Sequence, residues 1–221
     1  MSKQLEQYLE NPNVQAFLAM IRDAEGTNQT GNPYQTRFGG KVDENLDLSK
    51  YPTFEYKKFK QTDGKTNVSG AVGAYQFITK TWANLAKQYG FKDFSPKTQD
   101  LAAIALLQQN GALPLILKGD FAGATKKSNR TWASLPGSPY AQHTRSSEYV
   151  QKSLSKHLGQ TVDMGKYDVD YTQKQQPEQT TQEPPKTTAT VKLTSQTPVA
   201  TQVAKKPTLW EKIKSIFNRK A

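Results

Sequence analysis

Apolar residues recur at helical spacing at Val14, Phe17, Leu18 and Ile21, directly behind Asn11-Pro12, and the run stops at Gly26. A side-chain cap followed by proline at the first helical position is a strong start signal, and glycine is the usual stop. One turn beyond Ile21 comes Glu25, so an acidic residue leaves this helix on its apolar side. From Gly31 to Tyr75 the helical period disappears. Glycines and prolines there, with the runs Tyr34 to Phe38 and Thr53 to Phe59, predict a small antiparallel hairpin region with long loops. The segment Gly70-Ala71-Val72-Gly73-Ala74-Tyr75-Gln76 reads as a Gly-rich turn. Helical patterns resume at Thr79 to Tyr89, from Ser95-Pro96 to Asn110-Gly111, at Leu113 to Leu117, at Phe121 to Trp132 and at Ser146 to Leu158. Helix, small sheet, then several helices make an α+β domain of two lobes over residues 1–160. Trp82, Phe94 and Trp132 fall on its core positions.

The pattern changes after residue 160. Residues 161–204 hold Pro177, Pro184, Pro185 and Pro198 among Thr and Gln, too few apolar side chains to offset chain entropy, and are expected to be a disordered linker. Over residues 205–221, Leu209, Trp210, Ile213, Ile216 and Phe217 share one helical face, with Lys212, Lys214, Arg219 and Lys220 elsewhere. Such a cationic amphipathic segment is expected to lie on an anionic membrane or on lipopolysaccharide.

Composition narrows the chemistry. The 221 residues contain no cysteine and two histidines, His143 and His157. A Cys nucleophile, disulfides and thiolate metal sites are thereby excluded, and two histidines cannot build a zinc centre with three protein ligands. No cofactor or metal is expected, and both histidines read as surface residues. The net charge of +11 favours anionic partners, among them the bacterial wall. The basic residues form no dense arginine-rich stripe, so nucleic acid is not an expected partner, and the chain is expected to be a monomer. No apolar stretch approaches the roughly 18 residues of a membrane span, and no secretory signal is evident at the N-terminus. The expectation is synthesis in a cytoplasm, so that a substrate outside would require another agent to let the chain through.

Glu25 is the leading chemical candidate. A carboxyl at a helix C-terminus meets the negative end of the macrodipole, which disfavours its ionised form, and burial acts the same way. A proton donor for glycosidic bond cleavage needs that property. Periodicity alone leaves a second reading, a helix-end ion pair with Arg22 or Lys41.

The stretches Glu25-Gly26-Thr27, Phe38-Gly39-Gly40, Gly70 to Gln76, Lys92 to Asp100, Asn110-Gly111-Ala112-Leu113-Pro114 and Trp132 to Gly137 occur in one order over about two thirds of the chain. Residues 13–160 resemble the phage lambda-type lysozymes, endolysins of the lysozyme-like superfamily. The resemblance implies a lysozyme-like fold and lytic transglycosylase activity on peptidoglycan glycan strands. It puts the catalytic acid at Glu25 and substrate-binding residues at Tyr75, Gln76 and Tyr140, although both tyrosines also suit plain core packing. The family's acidic residue ahead of its Gly-Gly pair corresponds to Gln35, which cannot act as a base and is read as a further substrate contact.

Local chemistry agrees with a single-acid route. No acid lies between Glu25 and Asp43, and Asp43, Glu44 and Asp47 sit in a polar, solvated run. One carboxyl suffices if the sugar's own C6 hydroxyl attacks the anomeric carbon, leaving a 1,6-anhydromuramyl end. The alternatives are a hydrolytic muramidase on the same fold, with water placed by Asp43 or a hydroxyl, and a non-catalytic wall- or membrane-binding protein.

Overall fold

The computed structural model describes residues 2–50 and 52–165. The linker positions 166–204 and the tail residues Leu209, Trp210, Ile213, Ile216 and Phe217 lie outside the described residues.

A short α1 (Ser2–Glu6), which the periodicity does not announce, precedes α2 (Pro12–Glu25). The Asn11 side chain accepts hydrogen bonds from the amides of Asn13 and Val14, and Gly26 closes the helix at φ +79°. Val14, Phe17, Leu18 and Ile21 are buried, as their spacing requires. Two short 3-10 turns lead into two separate antiparallel pairs. β1 (Thr36–Arg37) pairs with β2 (Lys41–Val42), and β3 (Lys57–Lys60) pairs with β4 (Thr66–Ser69). The runs Tyr34 to Phe38 and Thr53 to Phe59 therefore each find a later partner of their own rather than each other. α3 (Thr79–Tyr89), α4 (Pro96–Gln109), α5 (Leu113–Leu117), α6 (Phe121–Ser128) and α7 (Ser147–Leu158) complete the described chain.

α2 lies inside this helical body. α7 runs along one side of it, α4 and α5 pack elsewhere on it, and one continuous apolar core joins them. Trp82, Phe94 and Trp132 are buried as expected. Phe77, Trp82 and Phe94 meet edge to face, a favoured arrangement of aromatic quadrupoles. α6 is shorter than the pattern over Phe121 to Trp132 predicts. It ends at Ser128, and Trp132 instead turns inward, where its indole N–H donates to the Tyr75 carbonyl at 3.2 Å. The core also takes in Val162 and Met164, past the expected boundary at residue 160.

Gln99 of α4 fixes the Gly-rich turn from below. Its side chain is fully buried, accepts the Ala74 amide at 2.8 Å, and donates to the carbonyls of Tyr34 and Phe94 at 3.0 and 2.8 Å. A buried amide so satisfied is a strong positional constraint. Gly73 sits against it at φ +82°, where a Cβ would collide with the Gln99 side chain and approach the Phe94 ring to 2.7 Å. Gly73→Ala therefore combines backbone strain with overpacking and is expected to destabilise the protein by about 3 kcal/mol in urea denaturation. A loss under about 0.5 kcal/mol, the size of an ordinary surface change, would contradict this account of the turn.

Candidate functional site

Glu25 is the last residue of α2, half-buried one turn past Ile21. Its Oε1 accepts a hydrogen bond from the Ser134 hydroxyl at 2.6 Å. Burial pushes its pKa from the ordinary 4.5 up to about 7, against the opposing pulls of the Ser134 hydrogen bond and the Arg145 charge. A carboxyl so poised holds a proton near neutrality and can both give and take one. The ion-pair reading is not realised, because neither Arg22 nor Lys41 pairs with Glu25. Arg22 instead reaches the Tyr75 hydroxyl at 2.6 Å and Asn28 at 3.2 Å, and lies 3.8 Å from Asp100.

The helix end that carries Glu25 is gripped from α7 and the loop before it. Arg145 donates from its backbone amide to the Ser134 carbonyl at 2.7 Å and from Nε to the Ala24 carbonyl at 3.1 Å. Its guanidinium lies 4.9 Å over the Tyr149 ring, and the Tyr149 hydroxyl donates to the Asp23 carbonyl at 3.0 Å. The buried Asp23 carboxylate receives Asn28 at 2.6 Å, Ser153 at 2.7 Å and His157 at 2.8 Å. Burial works to raise its pKa, but the bonds from Ser153, Asn28 and His157 outweigh it and hold the group below the ordinary carboxylate range. His157, exposed at the surface, is thus also a partner of Asp23. Asp23 and Glu25, two positions apart, are driven in opposite directions by their surroundings.

Residues 15–161 match the Endolysin family. The chain belongs to that family. The endolysin of Escherichia phage lambda is 35% identical over 157 residues, covering 69% of this chain and 94% of that protein. The endolysin of Escherichia phage P2 is 34% identical over 143 residues, covering 62% and 87%. A solved structure of bacteriophage lambda lysozyme complexed with a chitohexasaccharide superposes with a TM-score of 0.58 at 33% identity, over 69% of this chain and 97% of that one. The fold is that of lambda lysozyme, and the activity class is that of a peptidoglycan-degrading glycosidase.

In this endolysin the four expected substrate contacts are placed unequally. Tyr75 is 1% exposed; its ring packs edge-on to Phe77 and its hydroxyl is shared between Arg22 and Asp100. It presents no face to a sugar, and the core-packing alternative holds for it. Burial, then the nearby Asp100 carboxylate, push its pKa well above the usual phenol range, so it stays neutral. Gln76 adopts φ +51° and spends its Nε2 on the carbonyls of Gly73 and Thr36 at 3.0 and 3.2 Å. Gln35 likewise serves its own neighbourhood, donating to the carbonyls of Glu44 and Leu46 and accepting from Asn32. Tyr140 alone keeps a large open surface, 39% exposed, with its hydroxyl on the Arg130 carbonyl at 2.9 Å.

The acids between Glu25 and β3 are committed elsewhere or open to water. Asp43 bonds Arg37 at 2.7 Å, and that bond holds its pKa below the ordinary range. Asp47 is pushed down to about 2 by Ser49 and then Lys50. Among the described residues, Ser134 and Arg145 are the groups that act electrostatically on Glu25, and no carboxylate is among them.

Because folding raises the Glu25 pKa, its contribution to stability is full below about pH 4.5 and is lost as pH rises through about 7. Glu25→Gln mimics the protonated form. Its stability should equal that of the unaltered protein at pH 4 and exceed it by about 3 kcal/mol at pH 9 in urea denaturation. A stability difference that does not change with pH would contradict the shifted carboxyl.

Proposed function

We propose that Glu25 acts alone as acid and then base in a lytic transglycosylase reaction on peptidoglycan. Protonated Glu25 gives its proton to the glycosidic oxygen between the muramyl and glucosaminyl residues as the bond from that oxygen to the anomeric carbon breaks. The muramyl C6 oxygen bonds the anomeric carbon, and its hydroxyl proton passes to the Glu25 carboxylate. The acid is regenerated, no water is consumed, and the product ends in a 1,6-anhydromuramyl ring.

The observation that carries this reading is a carboxyl of pKa about 7 whose electrostatic partners are a serine and an arginine, with no second carboxylate among the described residues acting on it. Inverting hydrolysis needs a base carboxylate about 6.5–9.5 Å from the acid, and retaining hydrolysis needs a nucleophile at about 5 Å. Asp43 is held by Arg37, Asp23 by Ser153, Asn28 and His157, and Asp100 by Tyr75 and Tyr34, so none of these is disposed toward that work. Ser134 orients the Glu25 carboxyl, and Arg145 eases its ionisation once the proton is given. The relative solved with a chitohexasaccharide supports a chain of β-linked amino sugars as the ligand. Of the expected contacts, Tyr140 has the exposed ring suited to a sugar face. The site of action on this reading is periplasmic peptidoglycan, with the cationic segment 205–221 holding the enzyme near anionic lipid.

Mass spectrometry of the muropeptides released from purified, membrane-free peptidoglycan tests the chemistry. Anhydromuramyl ends, one water lighter than hydrolytic products, are expected, with their formation abolished in Glu25→Gln. Reducing ends would assign hydrolysis, and clearing by Glu25→Gln at the unaltered rate would remove Glu25 from the reaction.

A further inference from the structure

The β3–β4 hairpin carries unmatched positive charge. Lys57, Lys58 and Lys60 are all exposed, and none has an ion pair among the described residues. Neighbouring charges are matched: Lys65 pairs with Asp63 at 3.3 Å, and Glu55 pairs with Arg37 at 3.3 Å. Side chains alternate along a strand. Phe59 turns to Phe38, with ring centres 5.1 Å apart, so Lys58 and Lys60 stand together on the opposite face. Their cross-strand partners are Val68 and Thr66. Val68 is 41% exposed, and Tyr56, next along that face, is 57% exposed. Tyr56 is fixed in place. Its ring lies over Gly70, where a Cβ would come within 3.1 Å of it, and its hydroxyl meets the Thr79 hydroxyl at 2.7 Å. The face is therefore a strip with an anchored aromatic ring at one end and two adjacent ammonium groups beyond. Like charges two residues apart on one strand lie well within a Debye length and repel, so a bound anion relieves them.

The hairpin is tied to the loop that reaches the candidate site. At the hairpin tip the Thr62 amide donates to the Ala141 carbonyl at 3.0 Å. That joins the hairpin to the loop carrying Ser134 and Arg145, the two groups that act on Glu25. In intact peptidoglycan the lactyl carboxyl of each muramyl residue is tied up in the amide to its peptide, so the strand's negative charge sits on the stem peptides. We propose that the face formed by Tyr56, Lys58 and Lys60 docks these stem peptides, the lysines taking their carboxylates while the glycan lies at Glu25. The inference rests on the reading of the Glu25 site as the place where the glycan is cut.

Full-length protein carrying Glu25→Gln, which binds without cutting, allows the test by co-sedimentation with purified sacculi at about 0.1 M salt. Adding Lys58→Gln and Lys60→Gln should weaken binding about 5-fold, while the equally charged control Lys118→Gln with Lys126→Gln should change it less than about 2-fold. Lys58→Arg with Lys60→Arg should bind as the parent does. On sacculi whose carboxylates have been amidated with carbodiimide and excess methylamine, parent and Gln variant should bind alike. Equal binding of the Gln variant and the control to intact sacculi would overturn the proposal, as would an undiminished loss on amidated sacculi. In the Glu25 background, the Lys58→Gln and Lys60→Gln enzyme should still release anhydromuramyl ends. The product type and the docking face are thus read separately.

Discussion

Two carbonyls and one carboxylate at the C-terminal end of α2 are held by side chains from more than a hundred residues away. Arg145 bonds the Ala24 carbonyl, Tyr149 bonds the Asp23 carbonyl, and Ser153 and His157 close on the Asp23 carboxylate. From the other side, the Thr27 hydroxyl reaches the Ala74 carbonyl at 2.7 Å, tying the same helix end to the Gly-rich turn. Carbonyls at a helix C-terminus have no partner within the helix, and here protein groups supply several. The outcome is a fixed, half-buried place for Glu25. Burial is the leading cause of its raised pKa, so the chemistry at that carboxyl depends on this grip remaining closed.

The two acids of this turn divide the work. Asp23 is given enough hydrogen bonds to remain ionised inside the protein, and its charge anchors α7 against α2. Glu25 is given one hydrogen bond and a cation at its side, too little to offset burial, and so keeps its proton near neutrality. The contrast between a satisfied structural carboxylate and an under-satisfied reactive one arises within three residues of sequence. It follows from which side of the helix end each faces. Arg145 connects the two roles, because it fixes the Ala24 carbonyl and also biases Glu25 toward release of its proton.

The helix that carries Glu25 was legible in the chain from its start at Asn11-Pro12 to its stop at Gly26, because both signals are local. The placement of Glu25 on the buried side followed from its spacing to Ile21. The partners of that turn were not legible. Asp23 and His157 are 134 positions apart, and no local rule connects a histidine near the end of α7 to an aspartate near the end of α2. Ser134 stood within a stretch shared with the family, yet a lone serine in a loop carries no mark of its bond to Glu25. Tyr75, which the resemblance puts among the substrate contacts and which core packing suits equally, is buried for a related reason: Gln99 beneath the turn and Trp132 above it draw the segment into the core. The boundary at residue 160 followed composition, whereas Val162 and Met164 are two apolar residues in a polar stretch that reach back to the core.

A direct measurement of the Glu25 proton affinity bears hardest on this account. Carbon-13 NMR of the side-chain carboxyls, with Glu25 assigned by comparison with Glu25→Gln, follows its titration in the intact protein. The account requires a midpoint near 7. A midpoint at the ordinary 4.5 would mean a solvated carboxylate at the end of α2, without the proton that the proposed reaction needs.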